Sequence, residues 1–200
     1  MAVEKRILTD AMQTFRIEAE SLAETAKVLD AEAFGRAVEV LSKAPRIAAA
    51  GCGHTGIACR HFAHLMCCIE RPARFLSPAE AVHGGMGFLQ PGDVMLLASR
   101  GGKTDELMPI ADICRKKGVT VIAVTENLSS PLAEKADIVL AMKVTRECDP
   151  YNCQGTTSFA VTCAIFDALQ VAVLEHTSFR NEEFAVIHPH GAVGKRLNQK

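Results

Sequence analysis

The fold is decided by two stretches, RIAAAGCGHTG at residues 46–56 and DVMLLASRGGKT at residues 93–104. Each starts as an apolar run typical of a strand buried on both faces and ends in glycines and hydroxyl side chains. A helical pattern follows each stretch, so both turns join a strand to the start of a helix. Free backbone N–H groups and the positive end of the helix dipole attract an anion at such a position. Two of these turns in one sheet predict a compact anionic ligand at the carboxyl edge.

The chain from residue 45 onward alternates strand-like and helix-like segments. Further strands are expected at 73–76, 120–125 and 138–144, with helices between them and a long apolar helix at 156–175. This alternation predicts an α/β fold built on a doubly wound, five-stranded parallel sheet, in one domain at 45–200.

Residues 1–44 read as two helices that precede the sheet. Leu8, Met12 and Phe15 recur at helical spacing in the first helix, and Asp30 is a suitable N-cap for the second. We expect this N-terminal helical extension to pack on the domain or on a partner subunit. The length of its apolar stripe favours the partner.

Composition narrows the possible partners and the compartment. The formal net charge is −1, so no overall field draws the chain to nucleic acid or to an anionic membrane. The longest apolar run, at 159–174, is interrupted by polar residues and is shorter than the roughly 20 residues that span a bilayer. Eight cysteines without regular spacing, in a chain with no secretory segment, predict a cytoplasmic protein. We therefore expect no nucleic-acid partner and no membrane.

Cofactor and metal patterns in the sequence are weak. The spacing G-x-G-x-x-G at 51–56 matches the dinucleotide fingerprint, but no acidic residue ends the second strand to hold a ribose. Four residues could ligate a metal, namely His54, His83, Cys148 and Cys153. Neither C-x-x-C nor H-E-x-x-H spacing occurs, so we expect no cofactor and no metal.

The second turn gives the sharper indication of a phosphate group. Ser99 and Thr104 flank a glycine pair together with Arg100 and Lys103, a combination that fits a phosphate monoester. The alternative is that both cations are solvated surface charges. The phosphate-binding residues expected in the two turns are Gly53, Thr55, Ser99, Gly101, Gly102, Lys103 and Thr104.

Five segments, in order, resemble the sugar isomerase (SIS) domain family, closest to its arabinose-5-phosphate isomerase-like branch. They are Gly51-Cys-Gly-His-Thr-Gly56, Glu80-Ala-Val-His-Gly84, Leu89-Gln-Pro-Gly-Asp93 leading into Ser99-x-x-Gly102-x-Thr104, Arg146-Glu147 followed by Pro150, and His188-Pro-x-Gly-x-x-Gly194. The resemblance implies a SIS-type, flavodoxin-like sheet. It also implies an enzyme that interconverts aldose and ketose phosphates through an enediol. We expect a homodimer or homotetramer, with the N-terminal helices and the long helix around 159–174 at the contacts.

The resemblance further assigns roles to individual residues. Thr55, Ser99 and Thr104 inherit phosphate binding. Glu147 matches the base that abstracts the proton next to the carbonyl, and His188 matches the acid–base group that opens the sugar ring, in its own or a neighbouring subunit. The second choice for ring opening is His54, and His83 completes the candidate catalytic set.

Several positions depart from the pattern of that branch. His54 stands where the branch has lysine, Gly101 where it has a phosphate-binding serine, Lys103 where it has a carboxylate, and Gly85 where it has aspartate. The paired regulatory domains of the branch are not expected either. An isomerase with an altered acid–base set is the leading hypothesis, and a phosphosugar-binding protein without turnover, used in sensing or regulation, is the second. A lyase or hydrolase acting on an amino-sugar acid is the third.

Overall fold

The computed structural model describes residues 2–199, and its helices and strands follow the alternation expected from the sequence. In chain order they are α1 Ala2–Val28, α2 Ala31–Lys43, β1 Ile47–Ala50, α3 Gly53–Cys67, β2 Ala73–Phe75, α4 Pro78–Ala81, β3 Val94–Ala98, α5 Met108–Lys117, β4 Thr120–Thr125, α6 Pro131–Lys135, β5 Ile138–Ala141, α7 Thr157–Thr177, α8 Asn181–Ile187 and α9 Gly191–Asn198. Two short 3₁₀ turns, Gly85–Phe88 and Asp105–Leu107, precede β3 and α5.

The five strands form one parallel sheet in the order β2-β1-β3-β4-β5, which confirms the predicted fold class. The chain leaves β1 toward β2 on one side and returns through β3 on the other, so the strand order reverses between β1 and β3. Ala50 pairs in register with Leu97, and the two glycine-rich turns therefore start side by side. Ligands of open parallel sheets bind at this switch point.

Helices cover both faces of the sheet, as its continuous apolar strands require. Consecutive residues of β3, such as Leu96 and Leu97, face opposite sides of the sheet and are fully buried. One layer packs α2, α3 and α7 against the sheet, and Phe62 meets Phe166 there with ring centroids 4.9 Å apart. The other layer packs α5 and α6 on the opposite face.

Some element boundaries differ from the sequence-based expectation, and one helix was not expected. Strand β5 ends at Ala141 rather than at residue 144, because the Lys143 N–H donates to Thr25 Oγ1 and the Val144 N–H donates to Glu126 Oε1 instead of continuing the sheet. Helix α3 starts at Gly53, within the glycine-rich turn at 51–56 that was expected to precede it. Helix α9 was not expected, since its two glycines are typical of a loop.

Helix α1 packs on the domain with only one of its faces. Ile17 is buried against the body, and Ser21 and Thr25 form hydrogen bonds to the segment that follows β5. Leu8 and Phe15 lie on the remaining surface and are more than half exposed, at 63% and 65%. The extension therefore contacts its own domain and still leaves an apolar stripe uncovered.

Helix α7 is long and apolar enough to cross a membrane by length and composition. Its packing gives another reason for this character, because α7 lies against α1, α2 and α3. Val161, Phe166 and Leu169 are fully buried, and its one aspartate, Asp167, pairs with His61 at 3.1 Å. Helix α7 is therefore a core helix of this fold.

Candidate active site

The first glycine loop, Gly51–Gly56, begins where β1 ends at the carboxyl edge of the sheet and includes the first turn of α3. Gly53 has φ +57°, in the left-handed region that favours glycine. A Cβ on Gly56 would lie 2.6 Å from the Gly51 carbonyl oxygen, so the turn can close this tightly only around glycine. Cys52 occupies the N-cap position and its side chain makes no capping hydrogen bond. The first-turn N–H groups of α3, next to the half-buried Thr55, are therefore open to an anion.

The second glycine loop, Ser99–Thr104, connects β3 to the helical segment that begins at Asp105. The Ser99 and Thr104 hydroxyls share a hydrogen bond of 2.8 Å, and the Gly102 N–H donates to Ser99 Oγ at 3.1 Å. The N–H groups of Gly101, Lys103 and Thr104 make no hydrogen bond to any described residue. Two adjacent hydroxyls and several free N–H groups thus meet at the start of a helical segment, which is the chemistry of a phosphate site.

Gly102 fixes the shape of this second loop. It has φ +64°, and a Cβ there would overlap the Ser130 hydroxyl, which caps α6 by accepting the Ala133 N–H. Gly101, by contrast, has no atom within 4 Å of the position that a Cβ would take. The requirement for glycine therefore falls on Gly102 alone within this pair.

Three further candidate residues are exposed around these loops. Lys103 is exposed, and its ammonium group makes no ion pair with a described residue. His54 stands in the first turn of α3 with its ring edge-on to Phe159, the centroids 6.4 Å apart. His83 follows α4 and is exposed. Because α4 follows β2, His83 comes to the same carboxyl edge of the sheet as the two glycine loops.

Glu147 is buried next to the start of α7, with both carboxylate oxygens engaged. Oε1 accepts a hydrogen bond from Arg100 Nη1 at 2.8 Å. Oε2 accepts the Ser158 N–H at 3.1 Å and the Thr156 hydroxyl at 3.4 Å. The carboxylate thus lies at the N-terminal end of α7, where the helix dipole favours negative charge.

Glu126 is a charged neighbour that sequence reasoning missed. Its Oε2 accepts Arg100 Nε at 2.9 Å, so one guanidinium bridges two carboxylates, and Arg100 points to these rather than to solvent. Burial acts to raise the pKa of Glu126, but hydrogen bonds from Arg100 and from the Val144 N–H outweigh it and lower the pKa. Its position directly after β4, at the carboxyl edge, was the available signal.

The turn that presents Glu147 is built around Asp149. The Asp149 carboxylate accepts the N–H groups of Tyr151, Cys153 and Gln154. Desolvation acts to raise the pKa of Asp149, but these backbone hydrogen bonds lower it. Because three backbone donors hold one carboxylate, the turn leading from Glu147 to α7 has a single defined shape.

His188 lies far from Glu147 within one chain. Its ring packs on Phe184 with centroids 4.9 Å apart, and Nδ1 is buried without a hydrogen-bond partner among the described residues. Phe184 borders a small cavity with Leu174, near the C-terminal end of α7, whereas Glu147 lies at its N-terminal end. The 21 residues of α7 span roughly 30 Å. The structure therefore joins Glu147 to the second glycine loop through Arg100 and leaves His188 near the opposite end of α7.

A cavity of about 400 Å³ opens beside the first glycine loop, within the range of small-ligand sites. Arg60, stacked over Phe75 at 4.0 Å, borders it together with Ser77 and Glu106. Burial raises the pKa of the Cys52 thiol in the same wall, and Glu106 adds to the effect, so this thiol stays protonated at neutral pH. No group of three or more His, Cys, Asp or Glu among the described residues could hold a metal ion.

The fold and these loops define a class of parallel α/β proteins with two glycine-rich turns at the β1/β3 switch point, and a SIS domain model matches residues 40–172. The chain is 33% identical over 196 residues to arabinose 5-phosphate isomerase KpsF of Escherichia coli, covering 98% of this chain and 62% of the relative. It is 38% identical over 152 residues to arabinose 5-phosphate isomerase KdsD of Pseudomonas aeruginosa, covering 76% of this chain and 47% of the relative. The chain belongs to the SIS domain family. It spans less than two thirds of the length of these curated relatives.

Two solved structures have the same fold as this chain. A crystal structure from Listeria monocytogenes superimposes with a TM-score of 0.90 at 40% identity, over 93% of this chain and 98% of that one. The protein c3406 of E. coli CFT073, solved in complex with arabinose 5-phosphate, gives a TM-score of 0.87 at 25% identity, over 92% of this chain and 98% of that one.

Proposed function

We propose that this chain is a sugar-phosphate isomerase that interconverts an aldose phosphate and a ketose phosphate at the carboxyl edge of β1 and β3. The observation that carries the proposal is the second glycine loop, whose free N–H groups and paired hydroxyls are joined to the buried Glu147 carboxylate by the Arg100 side chain of the same loop. The names of the KpsF and KdsD relatives, and the arabinose 5-phosphate bound to the c3406 protein, support a pentose phosphate as the first substrate to test.

The phosphate group is proposed to bind between the two glycine loops. Ser99 and Thr104 offer hydroxyls, Gly101 and Lys103 offer backbone N–H groups, and the exposed Lys103 ammonium adds a full positive charge. Gly53 and Thr55, at the start of α3, are proposed to contact the remaining phosphate oxygens. Gly102 contributes through the shape of the loop.

The reaction requires one proton to move between neighbouring carbons. In the proposed mechanism, Glu147 accepts the proton from the carbon next to the carbonyl, while an acid gives a proton to the carbonyl oxygen, and a neutral enediol forms. Glu147 then returns its proton to the former carbonyl carbon, and the other enediol hydroxyl gives its proton to the conjugate base of that acid, which yields the ketose and restores both groups. A neutral imidazole can accept and donate protons near pH 7, so His188 is the proposed ring-opening group. His54 and His83 are the alternatives at the same edge.

A phosphosugar-binding protein without turnover is the second candidate function, and one observation favours it. Both oxygens of Glu147 already hold donors, from Arg100 and from the start of α7, and its side chain is buried. Neither oxygen can take a proton from a substrate carbon without first giving up one of these donors. Lys103 also favours the binding-protein function, because it stands where the isomerase branch has a second carboxylate.

The assembly proposed for this chain is a homodimer or homotetramer in the cytoplasm, without a nucleic-acid or membrane partner. The stripe on α1 that contains Leu8 and Phe15 supports an apolar contact between subunits. Because His188 lies far from Glu147 in its own chain, we propose that it completes the site of a neighbouring subunit. Sedimentation at micromolar concentration tests this assembly, and a monomer there would contradict it.

A panel of pentose and hexose phosphates tests the function directly. A true ligand at 100 times its Kd stabilises the fold by about 2.7 kcal/mol, which a thermal midpoint reports. Each ligand found is then incubated with the protein in deuterium oxide. An isomerase incorporates deuterium at the carbon next to the carbonyl, whereas binding without any exchange would replace the isomerase proposal with the binding-protein proposal.

A further inference from the structure

Arg100 is the residue that joins the second glycine loop to Glu147. Its backbone lies between Ser99 and Gly101 in the loop, while its guanidinium donates to Glu147 Oε1 at 2.8 Å and to Glu126 Oε2 at 2.9 Å. The only cation in contact with the Glu147 carboxylate among the described residues is thus carried by the loop proposed to bind phosphate.

The backbone of Arg100 is also held firmly by the end of β4. Its carbonyl oxygen accepts the Thr125 hydroxyl at 3.0 Å and the Glu126 N–H at 2.9 Å. A guanidinium with a fixed backbone and two carboxylate partners has little freedom to move. The second glycine loop and the two carboxylates are therefore one connected unit, in which an anion bound by the N–H groups next to Arg100 would act on the carboxylates through this side chain.

We infer that Arg100 is a positioning residue that couples occupancy of the second glycine loop to the placement of the Glu147 carboxylate. This inference rests on the proposed function, in which Glu147 is the base. Arg100 itself contacts no reacting atom in the proposed site; it acts through Glu147.

If the Arg100 guanidinium is removed, we expect the Glu147 carboxylate to move in a way that can be measured. Glu126 and Glu147 would then face each other without a cation between them, and two carboxylates so placed repel. Glu147 would turn away from Glu126, and the Ser158 N–H, which it now accepts, would lose its partner. Amide exchange at Ser158 therefore reports the placement of the carboxylate without any need for turnover.

The test uses NMR on the full chain with Arg100→Met, Arg100→Lys and the control Lys143→Met. Lys143 also pairs with Glu126, at 3.3 Å, but does not touch Glu147, so its loss removes a nearby cation without releasing the base. Two signals are followed, the Ser158 amide exchange rate and the Glu147 carboxyl carbon during a titration with inorganic phosphate. Exchange at Phe166, in the middle of α7, monitors the stability of the helix as a whole.

In Arg100→Met we expect Ser158 to exchange about tenfold faster while Phe166 is unchanged. Phosphate should shift the Glu147 carboxyl signal in the unmodified protein and in Lys143→Met, but not in Arg100→Met. Arg100→Lys, which keeps the charge but can hold only one carboxylate well, should give intermediate values and serves if Arg100→Met does not fold.

The outcomes separate this inference from the proposed function. Unchanged Ser158 exchange in the Arg100 variants overturns the inference, and so does a phosphate shift of Glu147 that survives in them. Phosphate that perturbs the amides of the second glycine loop but not Glu147 overturns it as well. Phosphate that perturbs no loop amide counts against the proposed function, and the Ser158 exchange rate still decides the role of Arg100.

Discussion

The two glycine loops and the C-terminal helices α8 and α9 all carry predicted site residues, but packing fixes them to very different degrees. Each loop follows a fully buried strand, and at Gly56 and Gly102 there is no space for the side chain of any other residue. Helices α8 and α9 contact each other more than the rest of the chain, and they expose Val186 and Ile187. The chain alone therefore determines the geometry of the loops, whereas the position of His188 in a working site depends on what covers α8 and α9.

The largest expected effect comes from a substitution in the glycine loops, whose geometry is the more firmly fixed by packing. Gly102→Ala forces a side chain into left-handed backbone and against the Ser130 hydroxyl, so we expect about 3 kcal/mol of destabilisation. Inorganic phosphate binding should disappear with the loop shape. Urea unfolding and calorimetric titration measure the two effects.

Gly101→Ala is the matched control, because no atom lies within 4 Å of its new methyl group. It should change the free energy of unfolding by less than about 0.5 kcal/mol and keep phosphate affinity. If both alanine variants behave alike, steric closure at Gly102 does not shape the loop.

The next effect concerns chemistry rather than shape. Glu147→Gln keeps the hydrogen bond from Arg100 but removes the base, so turnover should fall by about a thousandfold while phosphosugar affinity stays within a few-fold. Steady-state kinetics and ligand titration measure this split.

Glu126→Gln is the control for that result, since it alters the other carboxylate on the same arginine. It should retain most of the turnover. Comparable losses in both variants would mean that the charge network as a whole, and not Glu147 as a base, carries the activity.

Helices α8 and α9, whose position is less firmly fixed by packing, allow a test that mixes two inactive variants. If His188 completes a neighbouring subunit's site, His188→Gln and Glu147→Gln subunits mixed together will form some sites with both groups intact. We expect each variant alone to lose about a hundredfold or more in turnover, and the mixture to recover a measurable part of it. The recovery is read after unfolding and refolding the two chains together.

The control for this experiment mixes Glu147→Gln with itself after the same refolding. Activity that stays at the level of the single variants would show that His188 does not serve a partner's site, and His54 or His83 would become the ring-opening candidates.

The contrast between the glycine loops and helices α8 and α9 also explains which parts of the structure could be predicted from the sequence. Local patterns were enough for the strands and for most helices, because burial on both faces leaves continuous apolar runs such as Val94–Ala98. The second glycine loop was also recognisable, since glycines and hydroxyls stand together over six residues. Helix α9 escaped because Gly191 and Gly194 are typical of loops, although Gly194 is needed there for its close approach to the His188 carbonyl.

The charge network could not be predicted, for a different physical reason. Arg100, Glu126 and Glu147 follow three different strands, and only the sheet order brings their ends together. Sequence reasoning grouped Arg100 with the phosphate donors or with solvated charges, because local spacing contains no information about partners 26 and 47 residues away.

The smallest expected effect concerns the stability that the network of Arg100, Glu126 and Glu147 gives to the fold by holding the second glycine loop against the rest of the domain. The folded pKa of Glu126 is lower than its usual value of 4.5, so its ionised form stabilises the fold fully above that value. This contribution is lost as the pH falls from 4.5 through the lowered pKa. Glu126→Gln should therefore reduce the free energy of unfolding by about 1 kcal/mol at pH 7 and unfold with a shallower dependence on pH below 4.5. Glu39→Gln, which removes an exposed partner of Lys43 on α2, is the control and should leave both quantities nearly unchanged. Urea unfolding across this pH range measures the slopes, and equal slopes in all three proteins would mean that the Arg100 network adds no more stability than a surface ion pair.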